Sequence, residues 1–130
     1  MDKVKLFTPA QANQTLPLVK KVVEDILKLG AQMRERSARI GAGAEKDPQV
    51  VESMGHLEEL FEELESLGCS YKDWNFTAGL VDFPSVIEGR EVFLCWRSDE
   101  DALQYYHDID SGFSGRKPIP AEYLAGGAKK

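Results

Sequence analysis

Cysteine and long apolar runs are both scarce in this chain. Cys69 and Cys95 are its two cysteines, and they form neither a CxxC pair nor a zinc-finger spacing. The sequence alone does not decide whether they form a disulfide. The absence of an apolar signal core behind Met1 nevertheless favours a cytoplasmic protein with reduced thiols. No apolar run approaches the roughly 20 residues that span a bilayer, so we expect no membrane-spanning segment.

Positive charge is also in the minority. The chain carries 16 lysine and arginine residues against 22 aspartate and glutamate residues, a net charge of −6 at pH 7. Because such a protein repels phosphate backbones and anionic lipid surfaces, we expect neither a nucleic-acid nor a membrane partner. Its 130 residues, of which 42% are hydrophobic, suit one modest core. We therefore predict a single acidic domain over residues 1–125 and a disordered tail over residues 126–130.

Two stretches of the chain show helical periodicity. Between residues 16 and 40, apolar side chains recur at alternating steps of three and four, which is the seam of a coiled coil. Residues 48–67 repeat this rhythm and add a second apolar stripe. The short loop between them, with Gly41 and Gly43, requires the helices to run antiparallel. We predict a helical hairpin within residues 8–67, and its first seam consists of Val19, Val22, Ile26, Leu29, Met33 and Ile40.

Capping residues and prolines indicate where these helices begin and end. Thr8 can cap a first helix at Pro9, and Asp47 can cap the second long helix at Pro48. Pro17 is expected to end the first helix early, because a proline ring clashes with the preceding turn. The first long helix is then expected to restart beside this proline.

The chain after Gly68 alternates between apolar and polar residues, which is typical of β-strands. The alternation is clearest where Val92, Leu94 and Trp96 share one face. The predicted strands lie at 69–72, at 80–84 with a continuation over 85–87, and at 91–97. A loop at 74–79 and a turn at 88–90 separate them. The sheet region therefore covers 69–97, and a helix-and-loop region over 98–120 follows it.

The last predicted helix follows the sheet. Ser98 or Asp99 can cap a helix of two to three turns that reaches His107. Pro118 and Pro120 are expected to prevent further regular structure. The predicted fold class is therefore α+β, with a long antiparallel helical hairpin, a small antiparallel β-sheet and a short C-terminal helix.

Polar residues that can act together cluster between residues 82 and 116. Glu100 and His107 lie seven apart and would share a face of the predicted helix. A divalent metal can use both, with Asp82 or Asp108 completing a set of oxygen and nitrogen ligands. The alternative, which the pattern favours, is a histidine packed over a strand and hydrogen-bonded to a carboxylate. The candidate cluster consists of Asp82, Cys95, Arg97, Glu100, His107, Asp108 and Arg116.

Two further interpretations of these residues stay open. Cys95 and His107 can form a nucleophile and its base, although a mid-strand cysteine usually behaves as a small hydrophobic residue. Arg97 and Arg116 can clamp an anionic ligand. Alternatively, Arg116 bonds Asp82 or the carbonyl groups that end the preceding helix.

Six short motifs run through the chain, from FTPAQAN at residues 7–13 to GFSGR at residues 112–116. Between them lie LP at 16–17, GLVDFP at 79–84, GREVFLCWR at 89–97 and YHD at 106–108. In combination they resemble the prokaryotic family called domain of unknown function 2203, over nearly the whole chain. The resemblance implies a small stand-alone cytosolic protein, with no established activity, cofactor or partner. Tyr106 stands where that pattern often has tryptophan, and Asp99 where it tends to have glycine.

These observations favour an uncharacterised cytoplasmic protein that acts as a homodimeric binding or scaffold protein without catalytic activity. A hairpin of about 39 Å, at 1.5 Å per residue, is longer than three short strands can cover. A second copy that completes a four-helix bundle would bury the remaining apolar stripe. The alternatives are a metal-dependent hydrolase or other small metalloenzyme, and an anion or nucleotide sensor. Only the metalloenzyme requires a cofactor, a divalent metal.

Overall fold

The computed structural model describes residues 5–72 and 78–124. The predicted tail at 126–130 and most of the predicted loop at 74–79 lie outside the described residues. The described chain forms a helical hairpin, a five-stranded antiparallel sheet and a short last helix. The predicted α+β fold class is confirmed. Within the described residues, no helix is both long enough and apolar enough to cross a membrane.

Helix α1 spans Pro9–Ile40 and begins with a capping box. The Gln11 N–H donates to Thr8 Oγ1 at 3.1 Å, and the Thr8 N–H donates to Gln11 Oε1 at 3.0 Å. Two of the amide hydrogens that a helix start leaves without partners are therefore satisfied. At the other end Gly41 has a φ of 77°, a conformation that glycine adopts without steric cost.

The predicted break at Pro17 is wrong, because α1 continues through this residue. A proline inside a helix removes one hydrogen bond and costs about 3 kcal/mol. Tertiary contacts on both sides of Pro17 offset this cost. Leu16 and Val19 are buried in the core. One turn earlier, the Asn13 side chain accepts the Leu103 N–H at 2.8 Å and donates to the Leu103 carbonyl at 3.1 Å.

Helix α2 spans Pro48–Leu67 and packs antiparallel to α1, which confirms the predicted hairpin. Asp47 caps it as predicted, because one carboxylate oxygen accepts the Val50 N–H at 3.1 Å. The same carboxylate receives two hydrogen bonds from Arg36, at 2.6 and 3.0 Å. These bonds lower the pKa of Asp47 from its usual value and tie the two helices together beside their loop.

Five strands follow the hairpin: β1 at Ser70–Tyr71, β2 at Leu80–Ile87, β3 at Arg90–Arg97, β4 at Tyr105–Asp108 and β5 at Lys117–Pro118. They form an antiparallel sheet in the order β1-β2-β3-β4-β5. The two longest strands, β2 and β3, are joined by a two-residue turn whose residues Glu88 and Gly89 have φ values of 54° and 80°. Positive φ at both positions is the geometry of a tight β-hairpin.

The helix predicted from Ser98 or Asp99 to His107 is wrong. The end of that segment is strand β4, which pairs with β3 and places Phe93 opposite His107. Aromatic residues suit strands, and pairing with β3 satisfies the backbone of β4 without a helix. The short helix near the C-terminus is α3, Ala121–Leu124.

The prolines near the C-terminus do not prevent regular structure, which corrects the sequence prediction. Pro118 lies in β5, the last strand at one edge of the sheet, where a missing N–H costs no ladder hydrogen bond. Pro120 precedes α3, whose last residues bond back to the Pro120 carbonyl.

The core lies between the helical hairpin and one face of the sheet. Val19 and Ile26 of α1 and Leu64 of α2 are fully buried. They belong to the same apolar cluster as Phe83 of β2 and Leu94 of β3. Because side chains alternate along a strand, the intervening residues of β2, β3 and β4 face away from the helices. That second face carries the candidate site.

Candidate metal centre

The β2–β3 turn fixes which polar side chains meet on the second face of the sheet. It pairs Ile87 with Arg90, and the resulting register places Asp82 directly opposite Cys95. Directly opposite residues in antiparallel strands lie on the same face, with Cβ atoms about 4.5–5.5 Å apart. The carboxylate and the thiol are therefore neighbours.

Strand β4 adds a histidine to this pair. Tyr105 lies opposite Cys95, so His107, two residues further along, lies on the same face. One ligand atom from each of Asp82, Cys95 and His107 can be chosen so that all three lie within 4.8 Å of one another. We call these three residues the donor cluster. Among the described residues it is the one group of three or more such side chains with this spacing.

The donor cluster is almost completely shielded from solvent. The exposed fractions are 6% for Asp82, 1% for Cys95 and 3% for His107. Polar groups buried to this extent are costly unless they are paired or bind a metal ion. The partners of each donor therefore decide what the cluster can do.

The two ring nitrogens of His107 have different partners. Nδ1 lies 2.8 Å from the backbone carbonyl oxygen of Asp108, and because a carbonyl only accepts, Nδ1 carries a hydrogen. Nε2 lies 3.2 and 3.3 Å from the two carboxylate oxygens of Asp82. With a proton on either partner this contact is the histidine–carboxylate hydrogen bond that the sequence pattern favoured. A metal ion would take the place of that proton on the Nε2 lone pair. A metal-binding histidine typically has this orientation, with the other nitrogen donating to a backbone carbonyl.

Burial changes the acidity of the other two donors. It raises the pKa of the Asp82 carboxyl above its usual value, while the charge of His107 and that of Lys72 act in the opposite direction. Burial, with the charge of Asp82, raises the pKa of the Cys95 thiol to about 12. A thiol of that pKa is a poor nucleophile at neutral pH. The metal-free geometry therefore gives little support to a Cys95–His107 nucleophile and base.

A cavity of about 320 Å³ adjoins the donor cluster. Its apolar lining comes from Leu80 and Phe93 of the sheet and from Ile109 and Phe113 of the segment that follows β4. Lys72 contributes the one lysine of the lining. The three donors therefore border a space that a small molecule can occupy.

A second polar cluster lies beside the donor cluster. One guanidinium nitrogen of Arg116 donates to both oxygens of Glu100 at 2.7 Å and lies 3.3 Å from the Cys95 carbonyl oxygen. The guanidinium carbon lies 4.2 Å from the centre of the Tyr105 ring and 4.7 Å from that of Phe113. The charge of Arg116 is therefore already paired, and the arginine supports the backbone of β3 and the wall of the cavity.

The other predicted site residues lie apart from the donor cluster. The Asp108 carboxylate pairs with Arg90 at 2.8 Å and Lys117 at 3.6 Å, so Asp108 meets His107 through its carbonyl oxygen alone. Arg97 pairs with Asp99 at 3.3 Å. Of the four predicted metal ligands, the structure brings together Asp82 and His107, whereas Glu100 pairs with Arg116. The anion clamp by Arg97 and Arg116 stays a prediction.

Cys95 is the donor that the predicted metal set lacked. A signal for it is present in the sequence, because a two-residue turn at 88–89 pairs 87 with 90 and hence 82 with 95. The predicted three-residue turn at 88–90 does not give this register, because the observed turn has two residues, Glu88 and Gly89.

A family model described as "Uncharacterized conserved protein (DUF2203)" matches residues 5–119, nearly the whole chain. The chain belongs to this family. The DUF2203 match includes all three members of the donor cluster and the lining of the cavity, and it confirms the resemblance of the motifs. No curated protein and no solved structure matches the chain, so what the DUF2203 fold does has to be inferred from its site.

Proposed function

We propose that this protein binds a divalent transition metal, with Zn²⁺ as the first candidate, through Asp82, Cys95 and His107. The observation that carries the proposal is the convergence of one oxygen, one sulfur and one nitrogen donor in a buried cluster whose histidine has the orientation of a ligand. These three donor types are those that zinc prefers in proteins.

The separations between the donors support this assignment. Nε2 of His107 lies 3.2 and 3.3 Å from the Asp82 oxygens, longer than the usual N–H···O distance of about 2.9–3.0 Å. Two ligands that each lie about 2.0–2.1 Å from a tetrahedral zinc ion are about 3.3 Å from each other. The pair is therefore spaced as two ligands of one ion, and the Cys95 sulfur lies within 4.8 Å of both.

Three protein ligands leave one position of a tetrahedral zinc ion open. Structural zinc sites use four protein ligands, whereas catalytic sites use three and leave the fourth to water or substrate. The adjoining cavity of about 320 Å³ provides room for that fourth ligand. The arrangement therefore favours the metalloenzyme over a purely structural metal site, and metal-assisted hydrolysis is the reaction class that an activated water would support.

Metal content measured by mass spectrometry on the untagged protein tests this proposal. After incubation with Zn²⁺ and gel filtration, we expect about one ion per chain. Cys95→Ser should lose the ion, while Cys69→Ser, which alters an equally buried cysteine in the core, should keep it. An unmetallated wild type, or equal metal in both variants, contradicts the proposal. Near-UV circular dichroism of each variant checks that it has folded.

A second observation favours the homodimeric binding or scaffold role. The loop end of the hairpin exposes large apolar side chains on both helices, with Ile40 of α1 40% exposed and Val51 and Met54 of α2 52% and 48% exposed. A second copy packed on this end would remove them from water. Light scattering should give twice the chain mass, and Val51→Lys with Met54→Lys should give one chain mass. A wild type of one chain mass at every concentration contradicts this role.

A further inference from the structure

We propose that the cavity beside the donor cluster binds a small organic acid, with its carboxylate directed to the metal and to Lys72 and its hydrocarbon part against Ile109 and Phe113. This inference rests on the proposed metal site and names the class of ligand that would occupy its open position. Three independent observations carry it: the charge around the site, the exposed apolar walls and the size of the space.

The balance of charge favours an anion. A divalent ion held by ionised Asp82, ionised Cys95 and neutral His107 gives a centre with no net charge. Lys72 lines the same cavity and adds one positive charge. Arg116 adds none, because Glu100 neutralises it at 2.7 Å. A monoanion is therefore the ligand that completes both the metal's coordination and the charge of the cavity.

The walls of the cavity favour a ligand with an apolar body. Ile109 and Phe113 are 51% and 39% exposed, and both line the cavity. Phe113 is held in place by the guanidinium of Arg116, 4.7 Å from its ring. Large exposed apolar side chains around a concave site commonly mark ligand-binding surface. A hydrocarbon group between them would remove apolar area from water on both sides.

The size of the space limits the ligand. A volume of about 320 Å³ lies near the lower end of the roughly 300–1,000 Å³ found for small-molecule sites. It admits an acid with a single ring or a short chain, such as a benzoate-sized molecule. Inorganic phosphate would satisfy the charge but would leave the apolar walls exposed.

Cobalt(II) loading allows the metal site and the ligand site to be tested separately. Visible absorption of the Co²⁺-loaded protein reports binding of the ion, and a change in its d–d bands reports a new ligand on the ion. The probes are benzoate, acetate, benzylamine and inorganic phosphate. We expect benzoate to change the spectrum and to bind at least about tenfold more tightly than acetate, because its ring buries additional apolar area. Benzylamine should leave the spectrum unchanged.

Two pairs of variants sharpen the test. Lys72→Gln should weaken benzoate binding by about fivefold while Co²⁺ uptake stays unchanged, and Lys46→Gln, in the hairpin loop, should have no effect. Ile109→Ser should reduce the preference for benzoate over acetate, and Val86→Ser, an exposed apolar residue at the far end of β2, should not.

The outcomes separate this inference from the metal proposal. Normal Co²⁺ uptake with no response to benzoate overturns the organic-acid ligand and leaves the metal site standing. Tighter binding of phosphate than of benzoate also overturns it, because the apolar walls would then contribute nothing. Failure to bind Co²⁺ overturns both proposals together.

Discussion

The two faces of the same sheet have opposite chemistry. On the face that packs against the helices, Val81, Phe83 and Leu94 are completely buried among apolar side chains. On the other face, the residues that alternate with them include Asp82 and Cys95, which are almost equally buried but polar. The period of two along a strand therefore separates the residues that stabilise the fold from those that can bind a ligand.

The largest expected loss of stability comes from a substitution on the face of the sheet that packs against the helices. Leu94→Ala should lower the free energy of unfolding by about 2–5 kcal/mol, because it removes a fully buried side chain from the centre of the core. Urea denaturation monitored by circular dichroism measures the change. The adjacent Cys95→Ser should cost clearly less. Equal losses at the two positions would mean that the faces do not differ as described.

A smaller loss of stability is expected from a substitution where the start of β2 comes close to α1. A Cβ atom added at Gly79 would clash with Cγ1 of Val23, far inside van der Waals contact. Gly79→Ala should therefore destabilise the protein by about 1–3 kcal/mol. Val23→Ala in the same chain should recover part of the loss, which a double-mutant cycle by urea denaturation would detect. Strict additivity would show that the close contact is not the cause.

A still smaller change in the free energy of unfolding, an increase instead of a loss, is expected from a substitution on the polar face of the metal-free protein. Because burial raises the pKa of Asp82, the native state holds that proton more tightly than the unfolded state. The free energy of unfolding should therefore fall as pH rises from the unfolded value through the native pKa. Asp82→Asn should remove this decline and leave the variant about 1 kcal/mol more stable at pH 7. Parallel pH–stability curves for the two proteins would contradict this.

The smallest expected effect concerns the two thiols, one on each face. Burial raises the pKa of both Cys69 and Cys95 to about 12, so neither should react with iodoacetamide in the native metal-free protein at pH 8. Mass spectrometry after one hour should show unmodified chains, and both thiols should react in 6 M guanidinium chloride. Rapid native labelling of Cys95 alone would show that the cavity side admits the reagent and would revive the nucleophile interpretation.

Local signals predicted much of the fold. The caps at Thr8 and Asp47, the glycines that end the helices and the alternation along β2 and β3 each depend on a few neighbouring residues, and the structure contains all of them. Pro17 failed as a signal because distant contacts, including the Asn13–Leu103 pair, hold the helix together across it. Local propensity does not include such contacts.

The candidate site was only partly predictable, for the same reason. Asp82 and Cys95 are linked by one hairpin turn, so their proximity follows from the register. His107 reaches them through pairing of β4 with β3, and the sequence between these strands has no tight turn that fixes this pairing. An apparent helix cap at Ser98 or Asp99 then favoured the wrong element. The predicted metal set therefore places Glu100 with His107 on a helix face that the structure does not contain.

The edges of the sheet limit how far the sheet can be extended by another chain. Its outermost strands, β1 and β5, are two residues long each, and Pro118 in β5 has no N–H to offer. Short edge strands, and a proline in one of them, give a second sheet little backbone to pair with, and natural proteins use both features against edge-to-edge aggregation. Growth of the sheet from chain to chain through these edges is therefore disfavoured.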